Sequence, residues 1–141
     1  MYKRQLPAGR ASAQPAAGDT LVGVPTNVYA DAAPVELSTE VVGFPVRVRA
    51  RPSHYAWAFG DGASLGPTSE AGAPYPQGWL THAYQTPGDY TITLTTQYAG
   101  EYSVTGGPWL PVDGEAAVTS AAVPVHVVTG RTALVGGTLA R

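Results

Sequence analysis

Tyr55-Ala56-Trp57-Ala58-Phe59-Gly60-Asp61-Gly62 alternates aromatic and small residues and then stops at Gly-Asp-Gly. That is the pattern of a half-buried strand running into a tight turn. Some twenty residues later His82-Ala83-Tyr84-Gln85-Thr86-Pro87-Gly88-Asp89 leads into Tyr90-Thr91-Ile92-Thr93-Leu94. Pro87-Gly88 supplies a turn, after which Tyr90, Ile92 and Leu94 point one way while Thr91, Thr93 and Thr95 point the other. Two sheet strands with aromatic inner faces are therefore expected, one ending at Gly60 and one beginning near Gly88.

These residues resemble the polycystic kidney disease (PKD) repeat. The family hallmark, Trp-Asp-Phe-Gly-Asp-Gly, is matched by Trp57, Phe59, Gly60, Asp61 and Gly62, with Ala58 where the family usually carries aspartate. Its His-x-Tyr is matched by His82 and Tyr84, its Pro-Gly turn by Pro87 and Gly88, and its alternating strand from Tyr90 onward. The resemblance covers about residues 25–128 and is to the bacterial, actinobacterial-like kind found in surface and secreted proteins. It implies an immunoglobulin-like antiparallel β-sandwich of about seven strands with long loops, in an extracellular or cell-envelope setting.

Composition agrees with one such domain. The 141 residues include 17 glycines, 13 prolines and one methionine, which disfavours helices and favours short strands joined by turns. Zero cysteines excludes disulfides, thiolate metal sites and cysteine nucleophiles. Net charge is −2, and from Pro52 to Gly130 there is no Lys or Arg, whereas Asp61, Glu70, Asp89, Glu101, Asp113 and Glu115 fall in that span. Phosphate binding needs clustered cations, so nucleic acid is not expected as a partner. Arg47, Arg49 and Arg51 alternate with Val46, Val48 and Ala50, placing the arginines on one face of a strand and the apolar residues on the other. No apolar run is long enough to span a bilayer, so this segment is not expected to insert into a membrane.

Along the chain, residues 1–20 are rich in Ala, Gly, Gln and Pro and read as a flexible tail or linker. Residues 21–130 form the sandwich domain, and 131–141 a C-terminal extension. Met1-Tyr2-Lys3-Arg4-Gln5 does not read as a natural start, so the chain is expected to be a fragment whose leader or anchor lies elsewhere. Residues 22–29 and 35–42 suggest edge strands, and 44–51 a core strand that Pro52-Ser53 turns toward the Trp57 strand. Residues 63–80 read as a long loop, Ala99-Gly100-Glu101 as a turn, and 117–128 as the closing strand.

Trp57 and Phe59 share a face and belong to the core. Asp61, between two glycines, is suited to accepting backbone N–H bonds in the turn; calcium is its alternative ligand, but no second carboxylate stands nearby. The spacing of His54, His82 and His126 supports neither a metal trio nor a general base; the His82 ring is expected to tie loop backbone to the sandwich, and His126 to face outward between Val125 and Val127. No Gly-x-Ser-x-Gly elbow and no phosphate-binding glycine loop occurs. No enzyme site, metal or cofactor is expected. Tyr75 and Trp79 in one loop, and Tyr102 and Trp109 around another, are the candidate ligand contacts, with plugging of the sandwich end as the alternative role of the tryptophans. The expected function is a monomeric, non-catalytic module that contacts protein or polysaccharide at the cell surface or spaces a larger protein. The alternative is an accessory domain of a secreted hydrolase, protease or polysaccharide-degrading, whose catalytic domain lies outside this chain.

Overall fold

The computed structural model describes residues 9–14 and 19–129, and in them every regular element is a strand. One sheet has the order β1 (Arg10–Gln14), β3 (Thr26–Asp31), β7 (Thr81–His82). The other runs β2 (Asp19–Leu21), β11 (Val123–Val128), β8 (Gly88–Val104), β5 (Phe44–Ala58), β4 (Val35–Val41). Three shorter strands pair onto this sheet: β6 (Ser64–Thr68) on β5, and β9 (Leu110–Pro111) and β10 (Ala116–Thr119) on β8. All pairings are antiparallel except β2 with β11. The fold is the immunoglobulin-like β-sandwich that the motifs implied.

The core lies where the two sheets overlap. Trp57, Phe59, Tyr84, Ile92, Leu94 and Val127 are its largest buried apolar side chains, met from the other sheet by Ala13 and Val28. Alternation explains the assignment, since Trp57 stands opposite Leu94 and Tyr55 opposite Thr96 in the β5–β8 ladder.

Both central strands are longer than expected. β5 has 15 residues and β8 has 17, about 50 Å of extended chain each. Pro52-Ser53 is no turn. The register slips between Pro52 and His54, so that Ser53 is an extra residue in an uninterrupted strand, its Oγ donating to the Gln97 carbonyl at 3.1 Å. This bulge reverses the side-chain parity, and Val46, Val48 and Ala50 before it share a face with Tyr55 and Trp57 after it. Ala99-Gly100-Glu101 likewise continues β8 as strand, with Gly100 opposite Ala50. The expected closing strand is two, broken at Ser120, whose amide donates to the Leu94 carbonyl at 2.8 Å and whose Oγ accepts from the Leu94 amide at 3.1 Å. β4 is an edge strand as expected, whereas β3, in the other segment expected at an edge, is the middle strand of the smaller sheet, paired on both sides; the long loop expected over 63–80 begins with β6 instead.

The N-terminal expectation needs correction. Residues 10–14 pair with β3 throughout their length and bring Ala13 into the core, and residues 19–21 pair with β11. Alanine-rich composition here reflects a thin strand under a sheet rather than a tail. Residues 1–8, 15–18 and 130–141, which include the expected extension, lie outside the described residues.

Candidate functional site

The motif residues converge on the end of the sandwich where β5 exits. Gly60 and Gly62 take φ of +87° and +92°, values open to glycine and strained for other residues. Asp61 Oδ1 accepts the Ala63 amide at 3.0 Å, closing the turn as expected, and Asp61 Oδ2 accepts from His82 Nε2 at 2.7 Å. The His82 ring stacks on Phe59 at 4.2 Å with 9° between planes, and meets Tyr84 edge-on at 4.7 Å. Tyr84 donates to the Phe59 carbonyl at 2.8 Å and stacks on Tyr90, which in turn donates to the Thr86 carbonyl just before Pro87-Gly88. His82 thus ties the turn through a side chain, not through loop backbone.

Burial by itself would push the Asp61 carboxyl up. The His82 hydrogen bond, the Ala63 amide and the charge on the ring outweigh it and hold the carboxyl below its ordinary value. Burial, reinforced by Asp61 and Tyr90, pushes the Tyr84 hydroxyl up to about 12, so it remains a donor at any physiological pH. A carboxyl whose pKa falls on folding stabilises the fold above its unfolded value and loses that contribution as the pH drops through the folded one. Stability followed by urea unfolding from pH 7 downward should therefore decline below about pH 4, and Asp61→Asn should flatten that decline. An unchanged acid limb in the variant would exclude Asp61 as its source.

The three histidines lie in separate places. His54 is 3.9 Å from Glu115, and His126 is outward on β11 with Nδ1 2.5 Å from Asp89 Oδ1, a hydrogen bond that raises its pKa. Among the described residues no group of three His, Cys, Asp or Glu side chains is placed to hold a metal ion, and no helix is long and apolar enough to cross a membrane. The contacts of the motif cluster hold the turn against β8.

The four candidate contact aromatics occupy three places. Tyr75 and Trp79 share the segment between β6 and β7, and remain 76% and 58% exposed. Their segment is pinned to the smaller sheet. Ala30 and Val28 donate to the carbonyls of Ala71 and Leu80 at 2.7 and 2.9 Å, and Asn27 Nδ2 donates to the Ala73 carbonyl at 2.9 Å. Gln14 Oε1 accepts from both Asn27 Nδ2 and the Tyr75 amide, at 3.0 and 2.7 Å. Gln14 and Asn27 were not legible as positioning residues, because their partners lie up to 61 residues away. Trp109 stacks over Arg49 at 3.9 Å and Arg47 at 5.5 Å on the outer face of the larger sheet, whereas Tyr102, opposite Val48, is on its inner face. Neither Trp79 nor Trp109 plugs the core.

With the hallmark turn, the His-x-Tyr contact and the two-sheet core in place, comparison with known families adds the decisive observation: the model of the PKD domain matches residues 20–101. The chain belongs to the PKD domain family. PKD domains are immunoglobulin-like modules typical of extracellular proteins and are in general non-catalytic. No curated protein and no solved structure matches the chain. The match extends from β2 into β8, so in this PKD domain β9, β10 and β11 complete the larger sheet from sequence beyond it.

Proposed function

We propose that this PKD domain is a non-catalytic recognition module of a cell-surface or secreted protein, which contacts protein or polysaccharide through Tyr75 and Trp79. One observation carries the reading: two large aromatics stand mostly exposed on a segment whose backbone is held by a buried asparagine and by main-chain bonds to β3. Aromatic faces on a pre-ordered segment offer contact area at little entropic cost, which is how aromatic anchors come to dominate recognition surfaces. Leaving both side chains in water gains the fold nothing, and a ligand that covers them would remove that apolar surface from water.

The test is a glycan-array and cell-wall pull-down screen with the whole chain, repeated with Tyr75→Ala and Trp79→Ala after circular dichroism shows both to be folded. Binding by the wild type that weakens at least about tenfold in either variant is the expected result. Absence of binding, or binding indifferent to both substitutions, overturns this site and favours a spacer role or service to a hydrolase domain elsewhere in the parent protein.

A further inference from the structure

The smaller sheet covers only part of the larger one. The core cluster fed by both sheets reaches Tyr55 and Leu94, and Ala50 and Tyr98 form a second, smaller cluster with Val35, Ala116 and Val118. Beyond them the β4, β5, β8 and β9 ribbon continues as a single layer. Its two faces differ completely. The outer face carries charge that is largely paired within the chain: Arg47 pairs with Glu36, Arg49 with Glu101 at 2.8 Å, and Trp109 lies over both arginines. The inner face is a trough with Val46 and Val48 buried at its floor and Val41, Val42, Phe44, Tyr102, Val104 and Val112 around them, without a charged residue.

The tip of the ribbon sharpens the point. Val42 is 89% exposed and sits at φ +50°, beside Gly43 at +83°. A two-residue hairpin turn of this kind favours Asn or Asp before the glycine, and a β-branched side chain with positive φ is strained. Valine is thus the wrong residue for the turn and for water together, while Phe44 next to it is 56% exposed. Both choices become favourable once the tip is covered by an apolar surface.

We propose that this trough is an interface between two copies of the chain, the inner face of each ribbon forming the missing second layer for the other. An isologous interface must match itself. A face with no charge does so without repulsion, and two apolar sheet faces stack at about 10 Å with interdigitating side chains. Size is adequate too. The exposed parts of Val41, Val42, Phe44, Val104, Leu110 and Val112 come to on the order of 500 Å² per copy, taking roughly 150–200 Å² for a fully exposed large side chain. A pair would bury about 1,000 Å² in total, at the lower bound for specific association. The pair is accordingly a weak, reversible dimer, in contrast to the monomer expected from the sequence.

Sedimentation equilibrium on the full chain over a wide concentration range tests this. The expected result is a monomer–dimer equilibrium in the micromolar range, with the dissociation constant raised at least about tenfold by Phe44→Glu. Val42→Lys should weaken the dimer similarly, and its site on the exposed tip keeps the test valid if Phe44→Glu fails to fold. Arg51→Glu, on the outer face, should leave association unchanged. A monomer at every concentration overturns the proposal, whatever else covers the trough, as does a dimer indifferent to both inner-face substitutions.

Discussion

Trp57→Ala should destabilise the domain by about 3–5 kcal/mol, the usual cost of removing a large aromatic side chain from a packed core. Trp57 is 1% exposed and stands opposite Leu94 at the centre of the β5–β8 ladder. Its indole nitrogen has no hydrogen-bond partner among the described residues, so the loss is one of packing and cavity rather than of a bond. Trp57→Phe, which keeps most of the buried ring, should therefore cost much less. Against a total stability of roughly 5–15 kcal/mol the alanine variant loses a large fraction, and its melting temperature should fall by more than about 10 °C. Trp79→Ala, at an exposed site, should stay within about 0.5 kcal/mol of the wild type. Denaturant melts of the three variants suffice; a native-like Trp57→Ala would contradict the core described above.

Gly60→Ala should be the second large effect, at roughly 2–5 kcal/mol. Two separate costs act there. The residue sits at φ +87°, and a Cβ would approach the Thr91 carbonyl oxygen to 2.7 Å and the Thr91 nitrogen to 3.0 Å. Thr91 is main chain in the middle of a paired strand, so it cannot withdraw without breaking the ladder to β11. Gly62 provides the control, because it has nearly the same dihedral, +92°, and nothing within 4 Å of its Cβ position. Gly62→Ala should show the dihedral strain alone, about 1–3 kcal/mol. Equal losses at the two positions would mean that the close passage of the turn over β8 contributes nothing.

The sequence by itself determined the inner face of the sandwich. Trp57, Phe59, Tyr90, Ile92 and Leu94 are all placed by alternation, because a strand turns each side chain opposite to the last and water sorts the two sets. The Gly-Asp-Gly turn was equally legible, since Asp61 bonds a residue only two positions away. So was the arginine stripe. The partner of Asp61 across the turn was not, because His82 arrives from another strand.

Tertiary structure alone decided how far the strands run. Val46, Val48 and Ala50 occupy even positions and Tyr55 and Trp57 odd ones, a change of parity that a turn at Pro52-Ser53 and a bulge at Ser53 both satisfy; pairing with an unbroken β8 selects the bulge. Residues 10–14 show the same limit, as their alanines become strand only where β3 offers an open edge. The positions of Tyr75, Trp79, Tyr102 and Trp109 also had to come from the fold, since loop aromatics carry no periodicity. What holds them, Asn27 and Gln14 on one side and Arg47 and Arg49 on the other, is supplied by strands distant in sequence and adjacent only after the sheets have paired.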